Sequence, residues 1–167
     1  MATALIWKEI RPSKMSDRGM RIRFINGMKR VGKGMLEDFE STTRTWDHKP
    51  SFSMNMSLRG IGPAVLVGTD DSIYRLVNEG MKPRIIRPVR AKMLRFQVGY
   101  QAKTVPGVIG SRPGGSYGKV VFAKEVHHPG FEGRKFDDLI VTRWKPRFKD
   151  EMHRVMREAI KASGHAI

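Results

Sequence analysis

Apolar residues return every three or four positions in two stretches of this chain, one near each end, and alternate with polar residues between them. From about Arg21, the positions Phe24, Met28, Val31, Met35, Leu36 and Phe39 share one face of a helix that ends near Thr43, with basic residues on the other face. Gly27, Gly32 and Gly34 interrupt it. Each costs up to roughly 1 kcal/mol relative to alanine, so packing on a sheet is expected to hold the helix, and the glycines to permit close contact. Near the other end, Phe136, Ile140, Trp144, Phe148 and Met152 are spaced four apart, and Val155, Met156, Ala159 and Ile160 extend the stripe. Pro146 lies within it and predicts a kink, or a break that places Pro146 in the first turn of a second segment.

The middle reads differently. From Ser51 to Leu58, Phe52, Met54, Met56 and Leu58 alternate with Ser51, Ser53, Asn55 and Ser57, which predicts a strand with one core face and one polar face. Ala64 to Val67 predicts a second short strand. Asp70, Asp71 or Ser72 is placed to cap a short helix through Asn78, and Gly80 to end it. Ile85 and Ile86 precede Pro88 in extended structure, and alternation from Lys92 to Tyr100 predicts another strand. Gln101 to Gly118 holds five glycines and two prolines, and reads as a long loop or extended hairpin, flexible and able to reach a neighbour. A strand from Lys119 to Val126 and a turn over His127, His128, Pro129 and Gly130 lead into the last helix.

This order predicts an α+β domain: a mostly antiparallel sheet, long N-terminal and C-terminal helices packed on one face, and an extended Gly-rich loop. Residues 1–20 lack a sustained period and read as an N-terminal arm, leaving 21–167 as a single domain. Phe52, Phe96, Phe136, Trp144 and Phe148 fall on apolar faces and are expected in the core. Trp7 and Trp46 are candidate anchors for a neighbouring subunit.

Composition narrows the chemistry. With 167 residues the chain can bury roughly 70% of its unfolded surface in one domain. It has no cysteine, which excludes disulfides, thiolate metal sites and a cysteine nucleophile. No run reaches the length of a membrane span and the start is too short for a secretory signal, so a soluble, unexported protein is expected. Thirty-two Lys and Arg against sixteen Asp and Glu leave a net charge of +16, a field that attracts nucleic acid or acidic protein and opposes self-packing unless charges pair across subunits. Met1 to Gly34 carries nine basic and two acidic residues, and Met81 to Lys103 seven basic and none acidic.

No constellation points to catalysis. His127 and His128 are adjacent, so in extended structure they face opposite ways and do not share a metal. Asp70 with Asp71, and Asp137 with Asp138, stand where helices begin, and the helix dipole accounts for them. GVIGSRPGGSYG lacks the lysine and spacing of a P-loop. No enzyme activity, cofactor or metal is expected.

Four segments in order resemble the tail-completion or neck (head-tail joining) proteins of long-tailed double-stranded DNA bacteriophages. They are TWDHKPSF at Thr45 to Phe52, GTDDSIYRLVNEG at Gly68 to Gly80, IRPVRAKMLRF at Ile86 to Phe96 and HPGFEGRKFDDLI at His128 to Ile140. The resemblance covers roughly Arg21 to Ala162; Met81 and Phe131 stand at turn positions where such proteins commonly carry threonine. It implies a virion protein of the head-tail junction, assembled in the host cytoplasm with no membrane. It would form a homo-oligomeric ring, a hexamer by analogy, between a head connector or stopper protein and the tail tube or tail terminator protein, with phage DNA passing through the channel. Candidate inter-subunit or inter-ring contacts are Trp46, Met81, Arg84, Arg87, Arg90, Lys92, Arg95, Val108, Ile109, Arg112, Tyr117 and Phe131. The basic members are assigned to acidic rims of adjacent rings, because strong phosphate clamps would resist sliding DNA. The alternatives are a tail terminator or connector ring protein and, from a different class, a basic nucleic-acid-binding protein or small ribonuclease using His127 or His128 in acid-base cleavage.

Overall fold

A computed structural model describes residues 17–57 and 64–164. Two long helices, α1 (Asp17–Thr42) and α3 (Phe136–Ala162), run antiparallel. Arg30 reaches Glu151, while Asp38, further along α1, reaches Arg143 and Trp144, which stand earlier on α3. The helix predicted from Arg21 therefore begins at Asp17, inside the segment assigned to the arm. The rest of that arm, with Trp7, lies outside the described residues, as does Leu58.

The three glycines of α1 are explained by what touches them. A Cβ on Gly27 would stand 2.8 Å from Val155 Cγ2, and one on Gly34 would enter the ring of Trp144. On a different side of the helix, a Cβ on Gly32 would stand 2.5 Å from Met54 Sδ and 2.8 Å from Val65 Cγ1. So α1 is a central rod, closely approached by α3 on one side and by the hairpin of β1 (Ser53–Ser57) and β2 (Ala64–Gly68) on the other. The architecture is the expected α+β arrangement of long helices on antiparallel strands.

Between the hairpin and α3 comes α2 (Ser72–Glu79), with Asp71 as its N-cap: Asp71 Oδ1 accepts from Tyr74 N at 2.7 Å. At its other end Gly80 turns with φ 89°, and its Cα packs so close to the Gly133 backbone that no side chain fits. The core gathers around Tyr74, with Phe39, Phe136 and Ile140 buried beside it and Met35, Trp46, Phe52, Val67, Val77, Ile109 and Trp144 packed at its margin. Tyr74 meets Phe52 edge-on at 5.0 Å and stacks on Phe136 at 5.8 Å. Met28, Val31, Val155 and Ala159 close the far end of the helix pair.

Of the two outcomes expected at Pro146, the break does not occur, and the expected burial of Phe148 is corrected. The helix runs unbroken through Pro146, which sits on its exposed side, so the Thr142 carbonyl that Pro146 cannot serve faces solvent. Phe148 is 37% exposed instead of buried.

The remaining strands make one long, interrupted antiparallel ribbon. Its outgoing side is β3 (Gly80–Met81), β4 (Arg84–Ile86), β5 (Leu94–Gln97) and β6 (Tyr100–Gln101). The return is β7 (Gly115–Ser116), β8 (Val120–Ala123), β9 (Val126–His128) and β10 (Phe131–Glu132). The pairs nest as β3 with β10, β4 with β9, β5 with β8 and β6 with β7. Between Ile86 and Leu94 the outgoing side has residues 87–93 where the return has 124–125, so the ribbon bends there. His127 and His128 accordingly belong to a strand, and the expected single strand from Lys119 to Val126 is two.

Candidate functional site

The ribbon is fastened to the body at both ends, and the fastening is specific. At its root, Arg134 N donates to Val77 O at 3.1 Å and Lys135 N to Asn78 O at 3.0 Å. The buried Asn78 side chain then caps α3 from 58 residues away: its Oδ1 accepts from Phe136 N at 2.7 Å. That replaces a local cap, since Lys135 at the N-cap position adopts φ 54° and offers no side-chain bond.

At its tip, the segment 102–114 folds back onto the C-terminal end of α1. Ser111 Oγ donates to Ser41 O and accepts from Thr45 N, both at 3.1 Å, and Thr45 Oγ1 donates to Arg112 O at 2.8 Å. Ile109 packs on the aromatic core. Lys103 pairs with Asp47 at 2.9 Å, which holds the Asp47 carboxyl below its usual range, and Arg134 Nε donates to Thr104 Oγ1 at 3.2 Å. The glycine-rich loop is thus anchored, contrary to the flexible reading, because side-chain hydroxyls and one partly buried aliphatic supply the anchors that its few apolar residues did not suggest.

Between root and tip the ribbon stands off the body and roofs an open cavity of about 860 Å³. Trp46, Ile73 and Val77 form its floor, with Tyr100, His128 and Phe131 on the ribbon side. At its edge His48 Nε2 lies 2.5 Å from Asp71 Oδ2. The Tyr74 amide first, and His48 second, depress the Asp71 carboxyl. These contacts fix the start of α2. His127 turns to Glu125 at 3.3 Å, while His128 meets Phe131 edge-on and accepts from Gly130 N at 2.9 Å, so the two imidazoles diverge.

The ribbon exposes apolar and cationic side chains on both of its faces. Phe122 is 60% exposed, Val89 96% and Phe96 37%, and Ile85, Met93, Val98, Val120 and Val121 are exposed as well. Phe96 is therefore not a core residue: alternation along β5 separates two faces, but no helix lies on either. Leu94, Phe96, Val121 and Ala123 share one face of the β5–β8 ladder, and Arg95 stands opposite Phe122 on the other. From Lys82 to Phe131 the chain carries ten of its 32 Lys and Arg but one of its 16 acids, Glu125. Glu125 binds Arg87 at 3.1 Å, and His127 and Arg87 together lower its carboxyl.

The sequence-derived contact residues divide accordingly. Arg84, Arg87, Arg90, Lys92 and Arg95 lie exposed along the outgoing side, and Val108, Arg112 and Tyr117 are exposed at the tip and the start of the return. Met81 and Phe131 are a cross-strand pair at the root, half-buried. Trp46 and Ile109 pack against the chain's own core. The reading missed Phe122, Val120 and Val89, whose exposure depends on the ribbon standing free. Among the described residues no helix is long and apolar enough to cross a membrane. Comparison of the chain with protein families, curated proteins and solved structures returns no match.

Proposed function

We propose that this chain is a structural subunit of a phage neck, a copy of a ring that completes the tail and joins it to the head connector while leaving a channel for DNA. The single observation that carries the reading is the ribbon: a surface of exposed apolar and cationic side chains, held by a compact body, that is incomplete in the isolated chain. Exposed apolar side chains concentrated on one element support contact with another protein. The four segments that resemble neck proteins supply the place of assembly. The role asks for no reaction; the body fixes geometry and the ribbon presents contacts.

The test is assembly with the tail-tube and connector proteins encoded in the same genome, viewed by electron microscopy. Rings at the upper end of the tail are expected; attachment at the distal tip or on capsid faces rejects the proposal. One observation favours a second reading, a nucleic-acid-binding protein. Phe122 is an exposed ring opposite Arg95, the combination on which single-stranded bases stack. Salt-sensitive binding of single-stranded RNA that is lost in Phe122→Ala, in a protein that forms no rings, would establish that reading instead.

A further inference from the structure

We infer that the ribbon of one copy seats on the acidic end of the helix pair of the next copy, so that the contact is heterologous and repeats around a closed assembly. The inference rests on the ring reading above and names the two surfaces that would make it.

Three observations carry it. First, the β5–β8 ladder has only two strands and no layer on either face, an arrangement that is marginal in water and gains stability from a covering partner. Its exposed aliphatic and aromatic groups fit a protein surface better than a nucleic-acid groove, whose interfaces are polar. Second, charge is partitioned within the chain. Arg90, Lys92 and Arg95 have no acidic side chain within ion-pair distance among the described residues, whereas fourteen of the sixteen acids lie outside the ribbon, which holds only Glu125 and Glu132. Third, the antiparallel packing brings Glu37 and Glu40, late in α1, to the same end as Asp137 and Asp138 in the first turn of α3. Glu37, Glu40 and Asp138 are exposed there, with Arg44 and Lys135 as exposed cations nearby in the chain, and form no ion pair with another described residue.

A second copy is the occupant that this partition favours. A chain of net charge +16 repels its own copies, and repulsion is least when the cation-rich ribbon of one lies over the acid-rich end of another. Because the two patches are different parts of one molecule, each copy offers one of each, which is what ring closure requires.

The experiment is sedimentation velocity on three full-length proteins: wild type, a ribbon variant (Arg90→Glu with Arg95→Glu) and a body variant (Glu40→Lys with Asp138→Lys). Wild type is expected as a closed oligomer and each variant alone as a monomer, with circular dichroism unchanged. An equimolar mixture of the variants should give a one-to-one dimer and nothing larger, because only one intact ribbon and one intact acidic end remain. Phe122→Ser, which leaves the charges alone, should weaken the oligomer at least tenfold. A monomeric wild type, an oligomeric ribbon variant, a mixture that stays monomeric, or assembly that appears only on adding nucleic acid would each overturn the inference. Wild-type rings that fail to seat on tails would reject the neck role and leave this contact standing. Rings built at tail ends by the ribbon variant would reject the contact and leave the neck role.

Discussion

The helical body and the ribbon are built from similar residues used in opposite ways. In the body, Phe136, Ile140 and Val155 are fully buried, and glycines remove side chains so that α1 can lie against α3 and the β1–β2 hairpin at once. In the ribbon, Val89, Phe122 and Tyr100 stand in solvent, and glycines such as Gly99, with φ 72°, bend the strands. An apolar side chain stabilises this chain only where a second layer meets it, so the body's apolar residues act on folding and the ribbon's are left uncovered.

Single substitutions separate the two regions. Phe136→Ala should cost about 3–5 kcal/mol of unfolding free energy, the usual penalty for emptying a fully buried aromatic site, whereas Phe122→Ala should change monomer stability by less than about 0.5 kcal/mol. Urea unfolding of both proteins checks this. An equal loss in the two would mean that the ribbon belongs to the core.

How far the chain could be read in advance follows the same division. Both long helices, a cap within Asp70 to Ser72 and the Gly80 stop were legible because their signals are local: a period, a cap, a stop. The aromatic core around Phe136 and Trp144 followed from the period. Phe96 misled because alternation says which residues share a face and not whether anything covers that face. The root and tip were illegible for a different reason. Asn78 to Phe136, Ser111 to Ser41 and Arg134 to Thr104 join residues far apart in the chain, through polar atoms that leave no periodic trace. The register break opposite residues 124–125 depends on pairing across the ribbon, which one strand alone does not encode.

A smaller effect tests the close packing of the rods. Alanine at Gly34 raises helix propensity by about 1 kcal/mol, yet its Cβ would collide with the Trp144 ring. Overpacking should win, for a net loss of about 2 kcal/mol in thermal unfolding, and Trp144→Leu should relieve part of it. A stabilised Gly34→Ala protein would show that α1 and α3 lie further apart.

The smallest expected effect is electrostatic. Arg154 first, and then Arg30, hold the Glu151 carboxyl down to about 2, from an ordinary value of 4.5. The unfolded chain therefore takes up the proton first as pH falls. This contribution is complete above about pH 5 and disappears towards pH 2, where its loss is on the order of 1 kcal/mol after allowing for the exposed guanidiniums. Glu151→Gln should flatten the fall in melting temperature over that window; an unchanged slope would remove the carboxylate as its source.

A band tied down at two points behaves as a strap. Tension applied at mid-span divides between the moorings, and they are unequal: the root is continuous with two helices, while the tip holds through a few hydroxyl bonds, the Lys103–Asp47 ion pair and Ile109. Under load the tip should let go before the root, swinging the band outward and leaving the rods intact.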